Sequence, residues 1–243
     1  MKSNLTPPSA PNRRLSAAVW ALLTLMIAPG AQAAGMVPET SVVIIDAGKG
    51  EGVIKVTNTD DHAALLYTTI ERLAGDEEEL VVVNPPITRV EAGQVQQVRF
   101  IVQNAQPLTV QRLQRVNFES IAPQQADGSA GVALQVAQNL PVLINPADLP
   151  RKTDPWALLE WSLEGDQVVV NNPSRYVVRL HQKVLLAPGE LELTLPRTYL
   201  LPGDQERLPL PEGQRPGTDA RVKIFPASVY GYQVAEHESV LAR

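Results

Sequence analysis

Short apolar or alternating runs recur from residue 41 onwards, at a spacing of roughly ten residues. In one of them, at residues 52–57, Val53 and Lys55 lie on one face while Ile54 and Val56 lie on the other. Most of the 21 prolines and 15 glycines fall between these runs, and no amphipathic helix of useful length is indicated. The pattern predicts an all-β chain that folds as a sandwich or a barrel.

A polar segment bracketed by prolines divides the pattern. Residues 150–155 read Pro-Arg-Lys-Thr-Asp-Pro, which is typical of a linker, and apolar runs resume at residue 158. The 243 residues suffice for two domains of ordinary size. We therefore predict two β-domains in series, at residues 34–150 and 151–243.

The first 33 residues have the pattern of a secretion signal. Basic residues precede an apolar run at 15–27, and Ala31-Gln32-Ala33 fits the small-x-small cleavage pattern. The run is shorter than the roughly 18 to 20 residues that span a bilayer. We predict a cleaved signal peptide at residues 1–33 and a mature chain that does not insert into a membrane.

Composition excludes several classes of site. The formal net charge of −5 disfavours nucleic acid as a partner, and the lack of cysteine excludes disulfides, thiol catalysis and cysteine metal sites. His62, His181 and His237 lie far apart without ligand-like spacing. No catalytic elbow, phosphate loop or dinucleotide motif is present. We expect no enzyme activity, no metal and no cofactor.

Five motifs follow one another across both predicted domains. They are Asn-Pro-Pro at 84–86, Arg-Val-Glu-Ala-Gly at 89–93, Arg-Val-Asn-Phe-Glu-Ser-Ile-Ala-Pro at 115–123, Leu-Gln-Val-Ala at 134–137 leading to Asn-Pro-Ala at 145–147, and Asn-Pro-Ser-Arg-Tyr-Val-Val at 172–178. In this order they resemble the PapD-like periplasmic chaperones of pilus and fimbrial assembly. The resemblance implies two immunoglobulin-like β-sandwich domains in a boomerang-like arrangement, located in the periplasm. It also implies pilus or fimbrial subunits and an outer-membrane usher as partners.

The run at residues 132–144 is the candidate subunit-binding strand. Large apolar residues share one face, and Gln138 interrupts them: Val132, Leu134, Val136, Leu140, Val142 and Ile144. The resemblance aligns the first three with the strand that a chaperone lends to an incomplete subunit. We name Val132, Leu134, Val136, Leu140 and Val142 as subunit-binding candidates. A strand facing its own core shows the same row, and that alternative stays open, above all for the later half.

Two further expectations concern the same strand. Pro141 cannot donate a ladder hydrogen bond, so we expect pairing to be interrupted there or the strand to lie on a sheet edge. The resemblance also implies an Arg and a Lys that hold the subunit's C-terminal carboxylate, but the aligned positions are Val42 and Pro141. Arg112, Arg115 and Lys152 are candidate replacements, and the sequence gives no basis for choosing among them.

A secreted two-domain adhesion or carbohydrate-binding module is the alternative function. Such a module would bind through an exposed, aromatic-rich loop, and the sequence indicates none. Tyr230 and Tyr232 fall in a predicted strand at 230–234 and are expected to pack as core or interface residues. Trp156 and Trp161 follow the linker, where they either brace the domain junction or belong to an ordinary core.

Overall fold

The computed structural model describes residues 35–76, 78–103, 106–121 and 137–243. The predicted signal peptide lies outside these ranges. Within them, no helix combines the length and the apolar character needed to cross a lipid bilayer.

The first domain is all β. Its strands are β1 (Met36–Pro38), β2 (Val43–Asp46), β3 (Glu51–Asn58), β4 (Ala64–Glu71), β5 (Val81–Asn84), β6 (Ile87–Val90), β7 (Val95–Val102), β8 (Arg112–Ile121) and β9 (Ala137–Asn145). The hydrogen-bonded order is β5-β7-β3-β2-β9-β8-β4-β6, with β1 also paired to β3. Strand β2 links two halves of this order because it pairs with β3 through Asp46 and Glu51 and runs parallel to β9.

The two halves enclose one apolar core. Alternate residues of β3 are buried, as its alternating sequence predicts. Phe100 of β7 and Phe118 of β8 are fully buried and meet edge to face, with ring centroids 6.5 Å apart. The halves therefore form the layers of a sandwich, and β9 lies in the layer of β8.

The second domain is also a two-layered β-structure and has its own apolar core. A 3₁₀ turn (Pro155–Leu158) precedes β10 (Glu160–Glu164), β11 (Gln167–Asn171), β12 (Val178–Ala187), β13 (Leu191–Thr194), β14 (Tyr199–Leu200), β15 (Gln205–Pro209), β16 (Arg221–Pro226) and β17 (His237–Val240). Strands β10, β11 and β15 form one sheet, and β13-β12-β16-β17 with β14 on β12 form the other. Their buried faces share a single apolar cluster. The all-β prediction of two sandwiches in series is confirmed.

Strand β12 is continuous, although its register with β16 shifts between Leu180 and Val184. Two local predictions need correction. Residues 230–234 form no strand, and the last strand is β17 instead. Tyr230 and Tyr232 are 48% and 72% exposed, which contradicts their expected packing.

The two tryptophans after the linker have different positions. Trp161 is buried in the core of the second domain. Trp156 is half-buried, packs against the same core and also lines a pocket between the two domains. Trp161 is therefore an ordinary core residue, whereas Trp156 lies at the domain junction.

Candidate functional site

Strand β9 is covered on one side along its whole length but on the other side only in part. Its pairing with β8 runs from Ala137, opposite Glu119, to Ile144, opposite Arg112. Its parallel pairing with β2 begins only at Val142. In the described part of the chain, residues 137–141 therefore have no backbone partner on the side away from β8. We call this segment the open edge.

The structure places two of the five subunit-binding candidates in the first domain's own core. Leu140 is 7% exposed and Val142 is fully buried, and both pack with Ile144 in the core of the first domain. Side chains so enclosed have almost no surface left for a subunit, so these two are core residues. Val132, Leu134 and Val136 lie outside the described residues, and their role stays a prediction.

Pro141 marks the point at which the open edge ends. Pairing with β8 continues through it, since Pro141 lies opposite Arg115, so the expected interruption on this side is wrong. The alternative expectation, that the strand lies on an edge, holds for the residues up to Pro141. The missing N–H therefore falls at the last position before β2 takes over the ladder.

Directional hydrogen bonds join the two domains beside this edge. The Gln111 backbone N–H donates to the Arg175 carbonyl at 2.9 Å, and the Val177 N–H donates to Gln111 Oε1 at 2.7 Å. Arg175 Nη2 forks onto both oxygens of Asp148 at 2.8 and 2.9 Å, and the Tyr176 hydroxyl donates to the Pro150 carbonyl at 2.8 Å. Residues 175–177, which belong to the fifth sequence motif, therefore act as a junction latch.

The side chain of Asn172 holds the backbone of the junction latch in place. It is fully buried, and its Nδ2 donates to the carbonyls of Tyr176 at 2.9 Å and Leu201 at 3.0 Å. Its Oδ1 accepts from the backbone N–H of Ser174 at 3.2 Å. A buried polar group with this many partners fixes the backbone that carries Arg175 and Tyr176 to the first domain.

An apolar pocket of about 30 Å³ lies next to the latch. Its lining includes Val42 and Pro141, the two positions at which the resemblance implied charged anchors. Val42 is 4% exposed and packs with Leu113, Leu143 and Val177 in a cluster that spans both domains. The pocket wall at these positions therefore carries no charge.

The three candidate basic anchors differ in their partners. Arg112 already forms ion pairs within the first domain, because its guanidinium donates to Asp76 at 2.5 Å and to Glu78 at 2.6 Å. Arg115 donates to the side chain and the carbonyl of Asn139 on the open edge. Lys152 lines the pocket and pairs with Asp154 at 2.9 Å, while its side chain is 29% exposed. Only Lys152 of the three lines the pocket.

Arg179 is a pocket residue that sequence reasoning missed. It is half-buried in the pocket wall, and its Nη1 donates to the Val229 carbonyl at 2.8 Å. Within the described ranges no carboxylate lies within ion-pair distance of it. Burial lowers the pKa of its guanidinium, and the positive charge of Arg115 lowers that pKa further. The available signal was the alternation after Tyr176, which places Val177 and Arg179 on one face of the strand.

The loop before β17 closes one side of the pocket. Ala227 and Val229 line it, and the Ser41 hydroxyl donates to the Tyr230 carbonyl at 2.6 Å, which ties this loop to the first domain. Gly231 has a φ of +83°, and an added Cβ there would approach Arg179 Nη2 to 3.3 Å. A glycine at this turn lets the loop lie closely over the guanidinium.

No group of three or more acidic or histidine side chains in the described ranges could hold a metal ion.

Comparisons with known proteins agree with this geometry. Residues 35–150 match the family model of the pili and flagellar-assembly chaperone PapD N-terminal domain, and residues 154–237 match the PapD C-terminal domain. The fimbrial chaperone YhcA of Escherichia coli (strain K12), itself uncharacterized, is 45% identical over 202 residues, which cover 83% of this chain and 88% of that protein.

Solved structures show the same fold at low identity. The E. coli chaperone DraB superposes with a TM-score of 0.68 at 20% identity, over 86% of this chain and all of that one. The SafB chaperone of Salmonella enterica, solved in complex with the SafA pilin, gives 0.65 at 21% identity, over 86% of this chain and 98% of the other. With both domains matched in order, the chain belongs to the PapD family of pilus-assembly chaperones.

Proposed function

We propose that this protein is a periplasmic chaperone that binds pilus or fimbrial subunits by lending them a strand and then delivers them to an outer-membrane usher. The lent strand is the segment 132–136 together with the open edge that follows it. The N-terminal 33 residues direct the chain to the periplasm and are removed there. The protein acts by binding alone, without an enzyme site or a cofactor.

The open edge is the observation that carries this proposal. A sheet edge with unpaired N–H and C=O groups is a template for another strand, and proteins normally cover or blunt such edges. Here β2 covers β9 from Val142 onwards but leaves residues 137–141 uncovered. An incomplete sandwich that lacks one strand would find at this edge the backbone groups that it needs.

The sequence before the edge supplies apolar side chains for the same purpose. Val132, Leu134 and Val136 alternate in the phase of the buried Leu140 and Val142. Burying each against a subunit contributes about 1.5–3 kcal/mol before the cost of ordering the segment. Each new backbone hydrogen bond adds roughly 1 kcal/mol net. Together these contributions are sufficient for a stable complex. The subunit is then released only when another strand takes the place of the chaperone's strand.

A double substitution tests the proposal. Leu134→Glu plus Val136→Glu should abolish copurification of a co-expressed pilin, because two carboxylates cannot be buried unpaired in an apolar groove. The matched control is Gln135→Glu plus Ala137→Glu, which adds the same charge on the other face and should retain the pilin. Thermal unfolding of each free variant should show a folded protein.

Copurification of pilin with the folded Leu134→Glu, Val136→Glu variant at the wild-type level would contradict the strand assignment. Loss of the pilin from both double variants would show that added charge, and not the apolar face, is what matters.

The adhesion or carbohydrate-binding alternative draws on a different surface. The exposed Tyr230 and Tyr232 are side chains of the kind that stack on sugars, and they lie outside the open edge. Family membership favours the chaperone. Replacement of both tyrosines by serine should leave pilin copurification intact if the strand is the main binding element.

A further inference from the structure

A chain of hydrogen bonds on the outer face of the first domain ends on the backbone of the open edge. Arg115 of β8 donates through Nε to the Asn139 side chain and through Nη2 to the Asn139 backbone carbonyl, the latter at 3.1 Å. The other end of the Asn139 amide is held as well, because its Nδ2 donates to Glu71 of β4 at 3.0 Å. The side-chain network therefore directs the guanidinium onto one backbone carbonyl of β9.

The direction of that carbonyl follows from the far end of the same strand. The Asn145 carbonyl accepts from the Ala47 N–H at 2.9 Å, so it points to the side of β2. Backbone groups of alternate residues in a strand point to the same side, and the register of β9 with β8 is unbroken. The carbonyls of Pro141, Asn139 and Ala137 therefore point away from β8, into the open edge.

Pro141 gives an independent check on this direction. It lies opposite Arg115 in the uninterrupted ladder between β8 and β9. A proline fits such a ladder when the side that lacks its N–H faces away from the neighbouring strand. On residues 137–141 the outward groups are thus three carbonyls and the two N–H groups of Ala137 and Asn139.

The central one of the three outward carbonyls is already occupied in the free protein. A strand that added to this edge would place a backbone N–H at the Asn139 carbonyl, where Arg115 now donates. The guanidinium competes with that N–H for the same oxygen. Natural proteins protect sheet edges with charged side chains placed in this way.

The charge of Arg115 opposes one kind of incoming strand more than another. Two copies of this chain that met edge to edge would do so about a two-fold axis, and each copy would bring its own Arg115 to the contact. Like charges that face each other across a strand pair are destabilising. A client subunit is not bound by this symmetry, and its strand can offer the displaced guanidinium a carbonyl or a carboxylate.

We propose that Arg115 is an edge guard. In the free chaperone it covers the Asn139 carbonyl and opposes pairing of the open edge with a second copy of this chain, and an incoming client strand displaces it. The covering of the edge is a property of the free protein, whereas the displacement rests on the proposed function. The guard keeps a strand that has to remain unpaired from being consumed by self-association.

Self-association of the free protein tests the guard without any pilin. Sedimentation velocity should give a dimer dissociation constant at least about tenfold lower for Arg115→Met than for the wild type, because each edge regains an acceptor and loses a like charge. The matched control is Arg99→Met, which removes an exposed arginine of β7 that pairs with Glu51 at 3.4 Å, and it should leave the constant unchanged. A wild-type constant for Arg115→Met, or an equal fall for both variants, would overturn the guard.

Hydrogen exchange localises the contact in the Arg115→Met dimer. The outward amides of Ala137 and Asn139 should exchange more slowly in the dimer than in the monomer, because an added strand pairs with them. A dimer in which these two amides exchange as in the monomer would show that Arg115 guards some other surface and would overturn the assignment to the open edge.

A measurement on the wild type covers the case in which Arg115→Met does not fold. The heteronuclear NOE of the Arg115 Nε–H should be high in the free protein, where the side chain has two acceptors on Asn139, and should fall in a complex with a co-expressed pilin. The Nε–H of Arg99 is the control and should give the same value in both states. An Arg115 Nε–H that is fully mobile in the free protein would contradict the guard.

The outcomes separate this inference from the proposed function. If Arg115 is ordered in the free protein and unchanged in a stable complex with the pilin, a client strand does not displace it, so the inference fails while the chaperone function stands. If the wild type binds no pilin, the proposed function fails, and sedimentation velocity still decides whether Arg115 guards the edge.

Discussion

Arg175 and Arg179 lie four residues apart, yet their surroundings differ in kind. The latch residue Arg175 forks onto Asp148 and also donates its Nε–H to the Thr109 carbonyl at 2.5 Å. The pocket residue Arg179 has one neutral carbonyl acceptor and, in the described ranges, no acid. The fold therefore supplies a counter-ion for Arg175 but, in the described ranges, none for Arg179. Two arginines four residues apart can thus differ entirely in how the fold accommodates their charge.

The largest loss of stability is expected when Asn172, which supports the junction latch, is replaced. Asn172→Ala should lower the free energy of unfolding by about 2–3 kcal/mol, because it removes a buried amide that donates to the carbonyls of Tyr176, Leu200 and Leu201 and accepts from the Ser174 N–H. Urea unfolding measures the change. Asn171→Ala is the matched control, since that side chain is half-buried and bonds to Glu160 at 3.3 Å. Equal losses for the two variants would show that Asn172 is not the support.

A smaller effect is expected from the latch arginine itself. Arg175→Met should cost about 1 kcal/mol, because the ion pair with Asp148 is partly exposed and such pairs contribute little. The same urea experiment applies, with Arg215→Met as the exposed ion-pair control. A loss as large as that of Asn172→Ala would show that the ion pair, and not Asn172, holds the latch.

The smallest effect on stability is expected at the pocket. Arg179→Met should leave the free energy of unfolding within about 1 kcal/mol of the wild type, because loss of the bond to Val229 is offset by relief of a desolvated, unpaired charge. Differential scanning calorimetry of the free protein checks this. A loss as large as that of Asn172→Ala would identify Arg179 as a structural residue.

The sequence predicts the fold better than it predicts the site. Alternation in strands such as β3 and β7 specifies which face is buried, and prolines and glycines mark the turns, so the two sandwiches follow from local patterns. The same alternation could not separate the core residues Leu140 and Val142 from a subunit-binding face. Both uses demand large aliphatic side chains at every second position.

The pocket could not be predicted without knowing which distant strands and charges pair in the folded protein. Nothing near Arg179 in the sequence shows that it lacks an acid, whereas Arg112 finds Asp76 and Glu78 more than 30 residues away in the chain. The open edge is similarly invisible, because it depends on where β2 begins to pair with β9. Long-range pairing of strands and charges, which single-sequence periodicity does not encode, decides both features.

Hydrogen exchange of backbone amides in the free protein and in its complex with a pilin tests the loan of a strand most directly. We predict that the amides of residues 132–139 that are not bonded to β8 exchange at least about tenfold more slowly in the complex than in the free chaperone, while those of Val142 and Ile144, already paired with β2 or β8, stay protected in both. Equal protection of residues 132–139 in the free and the bound protein would contradict the loan.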